Sequence, residues 1–230
     1  MLKSIFSGLF FGLFALAVSA QPGSNQYTKA SDSDPEARAV LEKVKAKYEA
    51  YQSVEATFNL TIEFPGADEK EEQTGKMIQQ GKQYRLELAT QHLICDGKSI
   101  WLYLKENKEV QINNFEEDEE SGFLSPMDML RIYEREDYVY VLSNEYTEAG
   151  KIVQDIEFKP LDADSEYSKL RLSVDKASSQ IKRIKAFAKD GSRYTLTLST
   201  FKTNLSYPAG TFSWTKTQCP DCYVEDLRID

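Results

Sequence analysis

Strict alternation of apolar and polar residues between Val54 and Phe64 is the feature that most constrains how this chain folds. Six apolar side chains occupy every second position of this stretch, with Glu, Thr and Asn between them. Successive side chains of a β-strand point to opposite faces of a sheet, so the stretch predicts a strand with one apolar face. Such a face must be covered by a second layer of the protein or by an apolar ligand.

Further segments along the chain also predict strands, and hairpin turns separate several of them. Asp96-Gly97, Asp190-Gly191 and residues 175–178 have the composition of tight turns. The fold is therefore predicted to be mainly β (α+β), with about ten or eleven strands in an antiparallel meander that curls into a barrel or half-barrel. The further segments are 75–80, 83–90, 99–105, 109–113, 138–144, 152–159, 168–175, 180–188, 194–201 and 223–228.

Two segments have helical spacing instead. Asp34-Pro35 supplies an N-cap and a first-turn proline, and apolar residues follow at helical intervals as far as Tyr51. Ser125-Pro126 begins a second, shorter helix in the middle of the meander. That helix must cover the mouth of the barrel or fill its interior, and its candidate packing residues are Met127, Met129, Leu130 and Tyr133.

The amino terminus predicts export. Residues 1–20 combine a basic start, a short apolar run and small residues before a cleavage point after Ala20, which is typical of a signal peptide. Residues 21–33 are polar and predict a disordered leader, followed by one domain over 34–230. Loss of Lys3 with the signal leaves 27 basic against 37 acidic residues, a formal charge of −10. Such a surface repels nucleic acid and anionic membranes.

Motifs for chemistry are scarce. His92 is the single histidine, without the ligand spacing of a zinc site, and no Gly-x-Ser-x-Gly segment presents a nucleophile. Gly97-Lys98-Ser99 lacks the upstream glycine of a phosphate-binding loop, and a strand is predicted where that loop requires a helix. The sequence therefore predicts no catalysis, no cofactor and no metal.

Three cysteines leave one residue unpaired in any disulfide scheme. Cys219 and Cys222 have the spacing of a redox motif, but the strand predicted after them lacks the helix N-terminus that stabilises a thiolate. A structural disulfide is favoured, with free thiols, an adventitious metal or redox catalysis as alternatives. Cys95 is predicted to be a small buried residue.

Apolar residues recur at alternate positions of consecutive predicted strands. An ordinary packed core explains this pattern, but a barrel of this strand number encloses more space than its own side chains readily fill. The candidate cavity wall is Phe58, Leu60, Ile62, Tyr84, Leu86, Leu88, Ile100, Leu102, Leu170 and Leu172.

The order of these segments resembles the periplasmic outer-membrane lipoprotein carrier proteins, the LolA-type family, over nearly all of the chain from Asp34 to Arg228. The segments that carry the likeness are 51–58 (YQSVEATF), 81–86 (GKQYRL), 96–103 (DGKSIWLY), 125–127 (SPM) and 211–214 (TFSW). The last of these is similar to the penultimate strand of the family.

The resemblance implies an unclosed antiparallel barrel whose apolar cavity is covered by helices, with no cofactor and no catalysis. It implies a monomeric periplasmic carrier that takes acylated lipoproteins from an inner-membrane lipoprotein-releasing ABC transporter and passes them to an outer-membrane acceptor.

The chain departs from the family pattern in two places. Many family members have an Arg-Pro pair after the second strand, where this chain has Gly81-Lys82. The latch of the lid must therefore differ, with Arg85 as a speculative substitute. The pair of cysteines at 219 and 222 is also not typical of the family.

Other functions stay open from the sequence. The same fold could serve an envelope sensor of lipid or lipoprotein, or a transporter of phospholipid or glycolipid. A hydrolytic enzyme would depend on His92. The acidic run Glu116 to Glu120 is predicted to be a solvated loop, with a docking surface for a basic partner as the alternative.

Overall fold

The computed structural model describes residues 29–115 and 137–228 of the 230-residue chain. Within these ranges the chain forms one α-helix, α1 (Pro35–Glu49), twelve strands and three short 3-10 helices. The strands are β1 (Val54–Glu63), β2 (Lys70–Gln80), β3 (Gln83–Glu87), β4 (Gln91–Cys95), β5 (Ser99–Leu104), β6 (Glu109–Asn114), β7 (Tyr138–Glu148), β8 (Lys151–Pro160), β9 (Tyr167–Asp175), β10 (Gln180–Ala188), β11 (Arg193–Thr203) and β12 (Tyr223–Asp226).

All twelve strands belong to one sheet, in the order β12-β6-β5-β4-β3-β2-β1-β11-β10-β9-β8-β7. Neighbouring strands are antiparallel except β12 and β6, which are parallel. Strand β1 pairs with β2 on one side and with β11 on the other, so it joins the meander β1–β6 to the meander β7–β11. Among the described strands, β7 and β12 each pair with only one neighbour, so the sheet does not close, which confirms the predicted unclosed, largely antiparallel barrel.

Helix α1 defines the inner face of the sheet, and the opposite face is called the outer face. The Oδ1 atom of Asp34 accepts a hydrogen bond of 2.9 Å from the amide of Glu36, which caps the helix. Ala37, Leu41 and Val44 are buried in one cluster with apolar residues of β1 and β7–β11, which extends to one residue each of β2 and β3. The predicted helix is confirmed and ends at Glu49, two residues before Tyr51.

Both ends of α1 are tied to the sheet. The amide of Asp34 donates to the carbonyl of Tyr140 at 2.9 Å, and its Oδ2 atom accepts from the amide of Leu142 at 3.0 Å. At the other end, Nζ of Lys47 donates to the carbonyl of Ser178 at 2.6 Å. The helix therefore bridges the edge strand β7 and the β9–β10 turn, with its apolar side held against the inner face.

Strand β4 is absent from the sequence-based prediction. Leu93 and Ile94 are adjacent apolar residues, so the segment lacks the alternation of a half-buried strand. Leu93 packs on the inner cluster and Ile94 on a second cluster at the outer face. Both faces of the strand thus carry an apolar side chain, and a strand that is apolar on both faces loses its period-two pattern.

Two other predictions need correction. The strand suggested by residues 211–214 is wrong, because Ala209–Phe212 form a 3-10 helix that begins after Pro208 and is closed by a 3.0 Å hydrogen bond from the amide of Thr211 to the carbonyl of Pro208. The end of the predicted disordered leader is ordered, since Ala30–Asp32 form a 3-10 helix. The buried Ser33 accepts a hydrogen bond from the amide of Tyr140, which attaches this segment to β7.

The C-terminal segment covers the outer face of β4–β6. Cys219 and Cys222 form a disulfide that is buried, with Trp214, against Val110 and Ile112. The segment then continues as β12 alongside β6. Of the alternatives considered for the two cysteines, the structure contains the disulfide, and it serves a packing role remote from the inner face.

Candidate functional site

The inner face carries the whole candidate cavity wall. Residues directly opposite one another in neighbouring strands share a face. One row of such pairs crosses β1, β11, β10, β9 and β8 through Leu60, Leu196, Ile184, Leu172 and Ile156. The alternation read from the sequence therefore corresponds to a continuous apolar surface.

A second row crosses the other meander. It runs through Ala56, Met77, Leu86, Leu93 and Leu102 on β1 to β5. The two rows meet at β1, so both meanders contribute to the same inner face.

The inner face of β8–β11, called the closed half, is core. Ile156, Leu170, Leu172 and Ile184 are each at most 2% exposed and belong to the cluster that contains α1. Of the predicted wall residues, Leu170 and Leu172 therefore lie beneath the helix. A ligand can reach them only if α1 moves.

The inner face of β3–β5, called the open half, is different. Leu86 and Cys95 are buried there, but the other inward apolar side chains are half-buried. Ile100, Leu102 and Leu104 belong to neither apolar cluster of the described residues. Leu88, which follows β3, and Leu93 of β4 contact the inner cluster. This half presents an apolar surface that the helix described here does not bury.

Polar residues on β6 bound the open half. Leu102 pairs with Gln111 and Leu104 with Glu109, so the inner face becomes polar one strand beyond β5. The side-chain amide of Gln111 donates to Glu109 Oε1 at 2.8 Å. The apolar stripe of the open half therefore ends at β5.

Phe58 lies between the two halves. It is 2% exposed and pairs with Gly75 of β2, over which its ring extends. A Cβ atom on Gly75 would lie 2.2 Å from Cζ of Phe58 and 2.9 Å from Cδ2 of Leu88. A residue without a side chain is therefore required at position 75 for Phe58 to reach the open half.

Arg85 does not face the cavity. Its Nε atom donates to Glu87 Oε1 at 2.6 Å, and its Nη1 atom donates to the carbonyl of Thr211 at 3.3 Å. Alternation places both charged residues on the outer face, where Arg85 holds the C-terminal segment. The suggested latch role of Arg85 is wrong for this reason, and Gly81-Lys82 forms the β2–β3 turn with a positive φ at Gly81.

Other candidates lie outside the described residues. They are the predicted lid residues Met127, Met129, Leu130 and Tyr133, and the acidic run 116–120.

Sequence reasoning missed Leu93, which lies in the open half. Its place within a short apolar segment next to the Asp96-Gly97 turn is the signal that could have revealed it.

His92 lies on the outer face, away from the apolar surface. Its ring packs edge-on against Tyr103 with 5.8 Å between centroids, and burial lowers the pKa of the imidazole.

Among residues 29–115 and 137–228, no three His, Cys, Asp or Glu side chains are grouped as a metal site requires. No helix in these ranges is both long and apolar enough to cross a bilayer.

Within the described residues, an open, largely antiparallel sheet around one helix, with a half-buried apolar stripe on its inner face, defines a half-barrel suited to hydrophobic ligands. The family described as "Outer membrane lipoprotein carrier protein LolA" matches residues 49–215, which is most of the chain. The chain therefore belongs to the LolA family, as its resemblance indicated, and this family is one of carrier proteins. No curated protein sequence matches the chain.

Several solved structures are similar to this fold at low sequence identity. An uncharacterized conserved protein from Thermus thermophilus is 13% identical, with a TM-score of 0.55, and the match covers 83% of this chain and 99% of that one. A LolA superfamily protein from Nitrosomonas europaea is 14% identical, with a TM-score of 0.42 and coverage of 77% and 97%. A putative outer membrane lipoprotein-sorting protein domain from Vibrio parahaemolyticus is 14% identical, with a TM-score of 0.44 and coverage of 76% and 95%.

Proposed function

We propose that this protein is a periplasmic carrier that binds the acyl chains of lipoproteins on its inner face and moves them from the inner to the outer membrane. The observation that carries the proposal is the open half, an apolar stripe left half-exposed in a chain of the LolA family. Exposed apolar area of this kind in a folded protein usually marks a binding surface.

The energetics of acyl chains explain why a carrier is needed. Burial of each methylene contributes about 0.8 kcal/mol, so a chain of about twelve methylenes is stabilised by about 10 kcal/mol when it leaves water. A lipoprotein with several chains therefore cannot cross an aqueous compartment unaided. The carrier must accept the chains from one apolar site and release them to another without an intermediate in water.

The partners follow from this proposal. An inner-membrane ABC transporter supplies the acylated cargo, and an outer-membrane acceptor receives it. Residues 1–20 direct the chain to the periplasm and are removed after Ala20. The ten wall residues bind the chains, with those of the open half in contact first and Leu170 and Leu172 reached only after α1 is displaced.

The cargo is tested by mass spectrometry of the mature protein purified from its native periplasm. We expect acylated lipoproteins to co-purify with it. Recovery of phospholipid or glycolipid alone would instead identify a lipid transporter, and recovery of empty protein would contradict both assignments.

The position of the binding surface is tested by Leu102→Gln. This change puts an amide on the open half, where it must lose water when a chain binds, at a cost of about 1–3 kcal/mol. We expect affinity for a fluorescent fatty acid to fall about tenfold or more. Val141→Gln is the matched control, because Val141 is exposed on the outer face of β7. Equal losses in both variants would remove the open half from the proposal.

A further inference from the structure

A small cavity lies where β9 begins, β10 ends and β11 begins, and it is called the rim pocket. Its volume is about 280 Å³, and its lining residues are Glu166, Tyr167, Ala188, Asp190 and Tyr194. This is slightly below the roughly 300–1,000 Å³ of pockets that hold drug-sized ligands, so the rim pocket suits a small chemical group.

Strand pairing explains the shape of the rim pocket. Tyr167 pairs with Ala188, and Tyr194 pairs with Ala186, so the two tyrosines flank strand β10 at positions where it carries only alanine. Small side chains on the middle strand leave a gap between two aromatic rings. Tyr194 also pairs through β11 with Ile62 of β1, which places the gap on the inner face.

The rim pocket is electrostatically negative. It is lined by two carboxylates and no basic residue. Glu166 has no hydrogen bond or ion pair from its side chain to any described residue, whereas Asp190 accepts from the amide and the hydroxyl of Ser192 at 2.8 and 3.1 Å. Burial raises the pKa of Tyr167, and the nearby Glu166 and Tyr194 raise it further. All these groups disfavour a negative charge in the gap.

The combination of two rings and two carboxylates favours an organic cation. Aromatic faces attract ammonium groups, by about 0.5–2 kcal/mol depending on exposure, and carboxylates at the rim add to the attraction. Half-buried Leu60 and Ile62 continue the inner face from the rim pocket towards Phe58 and the open half. An amphiphile could therefore place its chain on the apolar face and its charged end between the tyrosines.

We propose that the rim pocket binds the ammonium group of an amphiphilic cargo whose apolar chain lies on the inner face. The inference rests on the proposed function, since the chain is held by the same surface. The rim pocket adds selectivity: among amphiphiles with the same chain, those with an ammonium group bind more tightly than neutral ones.

The test compares two probes with the same dodecyl chain, dodecyltrimethylammonium and dodecyl maltoside, by calorimetry on the mature chain below their micelle concentrations. We expect the cationic probe to bind about tenfold more tightly than the neutral one, which corresponds to about 1.4 kcal/mol. In the variant Glu166→Gln/Asp190→Asn we expect this ratio to fall close to one, with affinity for the maltoside unchanged. Both changes keep the size of the side chain and an acceptor oxygen.

The control variant Glu42→Gln/Glu106→Gln removes the same charge at two exposed positions, on α1 and in the β5–β6 turn. If this control still binds the cationic probe more tightly than the maltoside, the result supports the rim pocket. If it loses that difference as fully as Glu166→Gln/Asp190→Asn does, the difference comes from net charge, and the inference is overturned. Equal affinity of the unmodified protein for both probes would also overturn it. If the cationic probe binds and the maltoside does not, the proposed function is overturned, while the rim pocket stays supported by the cationic probe. Failure of both probes would overturn both.

Discussion

The closed and open halves of the inner face come from the same sequence pattern and differ in what covers them. Leu172 of β9 and Leu102 of β5 both lie on alternate, inward positions of antiparallel strands. Leu172 is fully buried and Leu102 is half-buried, because α1 packs on the closed half. Strand alternation therefore identifies the apolar face, whereas the anchoring of one helix decides which part of that face becomes core.

The largest effect expected from this difference is on stability. Leu172→Ala should lower the free energy of unfolding by about 2–5 kcal/mol, because it leaves a cavity beneath α1. Leu102→Ala removes the same atoms from a half-exposed site and should cost about 1 kcal/mol. Urea unfolding of both variants measures the contrast. Similar losses would mean that the two halves are equally buried in solution.

The junction between the halves should be nearly as sensitive. Gly75→Ala forces Phe58 away from β2, and over-packing of this kind lowers the free energy of unfolding by about 1–3 kcal/mol. Gly210→Ala is the control, because no atom lies within 4 Å of a Cβ placed there and its φ is not positive. Chemical denaturation that finds the two variants equally stable would refute the tight contact between Phe58 and Gly75.

The attachment of α1 is tested by Asp34→Ala. The change removes the helix cap and the side-chain bond to β7, and should cost about 0.5–2 kcal/mol. It should also increase binding of a hydrophobic dye, because a loosened helix exposes the closed half. Asp68→Ala, in the exposed β1–β2 connection, should change neither quantity. Unchanged dye binding in Asp34→Ala would show that the cap does not control access to the closed half.

The smallest expected effect concerns pH at the β9–β10 turn. Asp175 accepts hydrogen bonds from the amides of Ala177 and Ser178. The bond from Ser178, together with the ion pair to Lys151, lowers the pKa of Asp175 from 3.8 to about 2. A lowered carboxyl pKa stabilises the fold above pH 3.8, and this contribution is lost as the pH falls to about 2. Asp175→Asn should therefore be about 1 kcal/mol less stable at neutral pH, with a difference that shrinks in acid.

Denaturation measured from pH 7 to pH 2 checks this expectation. A constant difference between Asp175→Asn and the unmodified protein would mean that the carboxylate charge contributes nothing. Because Lys47 of α1 bonds to Ser178 in the same turn, the experiment also reports on the second attachment of the helix.

Local patterns predicted most of the fold. The first strand, α1 and the hairpin turns were accessible because side-chain period, caps and turn residues are properties of neighbouring residues. Strand β4 was not, since apolar side chains on both of its faces remove the alternation at Leu93 and Ile94. The 3-10 helix at Ala209–Phe212 was missed because a short run with Phe and Trp has strand composition, although Pro208 starts a turn there.

The candidate site was predicted only in part. Alternation placed all ten wall residues on one face, but it could not separate Leu170, beneath α1, from Ile100, in the open half. Arg85 was considered as a latch of the lid, but its position in β3 points it outward, towards Thr211. The rim pocket was not anticipated, because Tyr167, Ala188 and Tyr194 come together only through the register of three strands.

The sequence by itself determined that this chain has strands with one apolar face and an amphipathic helix that begins after Asp34. These properties depend on residue types at short spacing, which the sequence displays directly. Only the tertiary structure decided that α1 covers β8–β11 and leaves β3–β5 accessible, because that outcome depends on hydrogen bonds between Asp34 and β7 and between Lys47 and Ser178. Contacts between residues more than a hundred positions apart thus divide strands of the same pattern into a buried core and a partly exposed apolar surface.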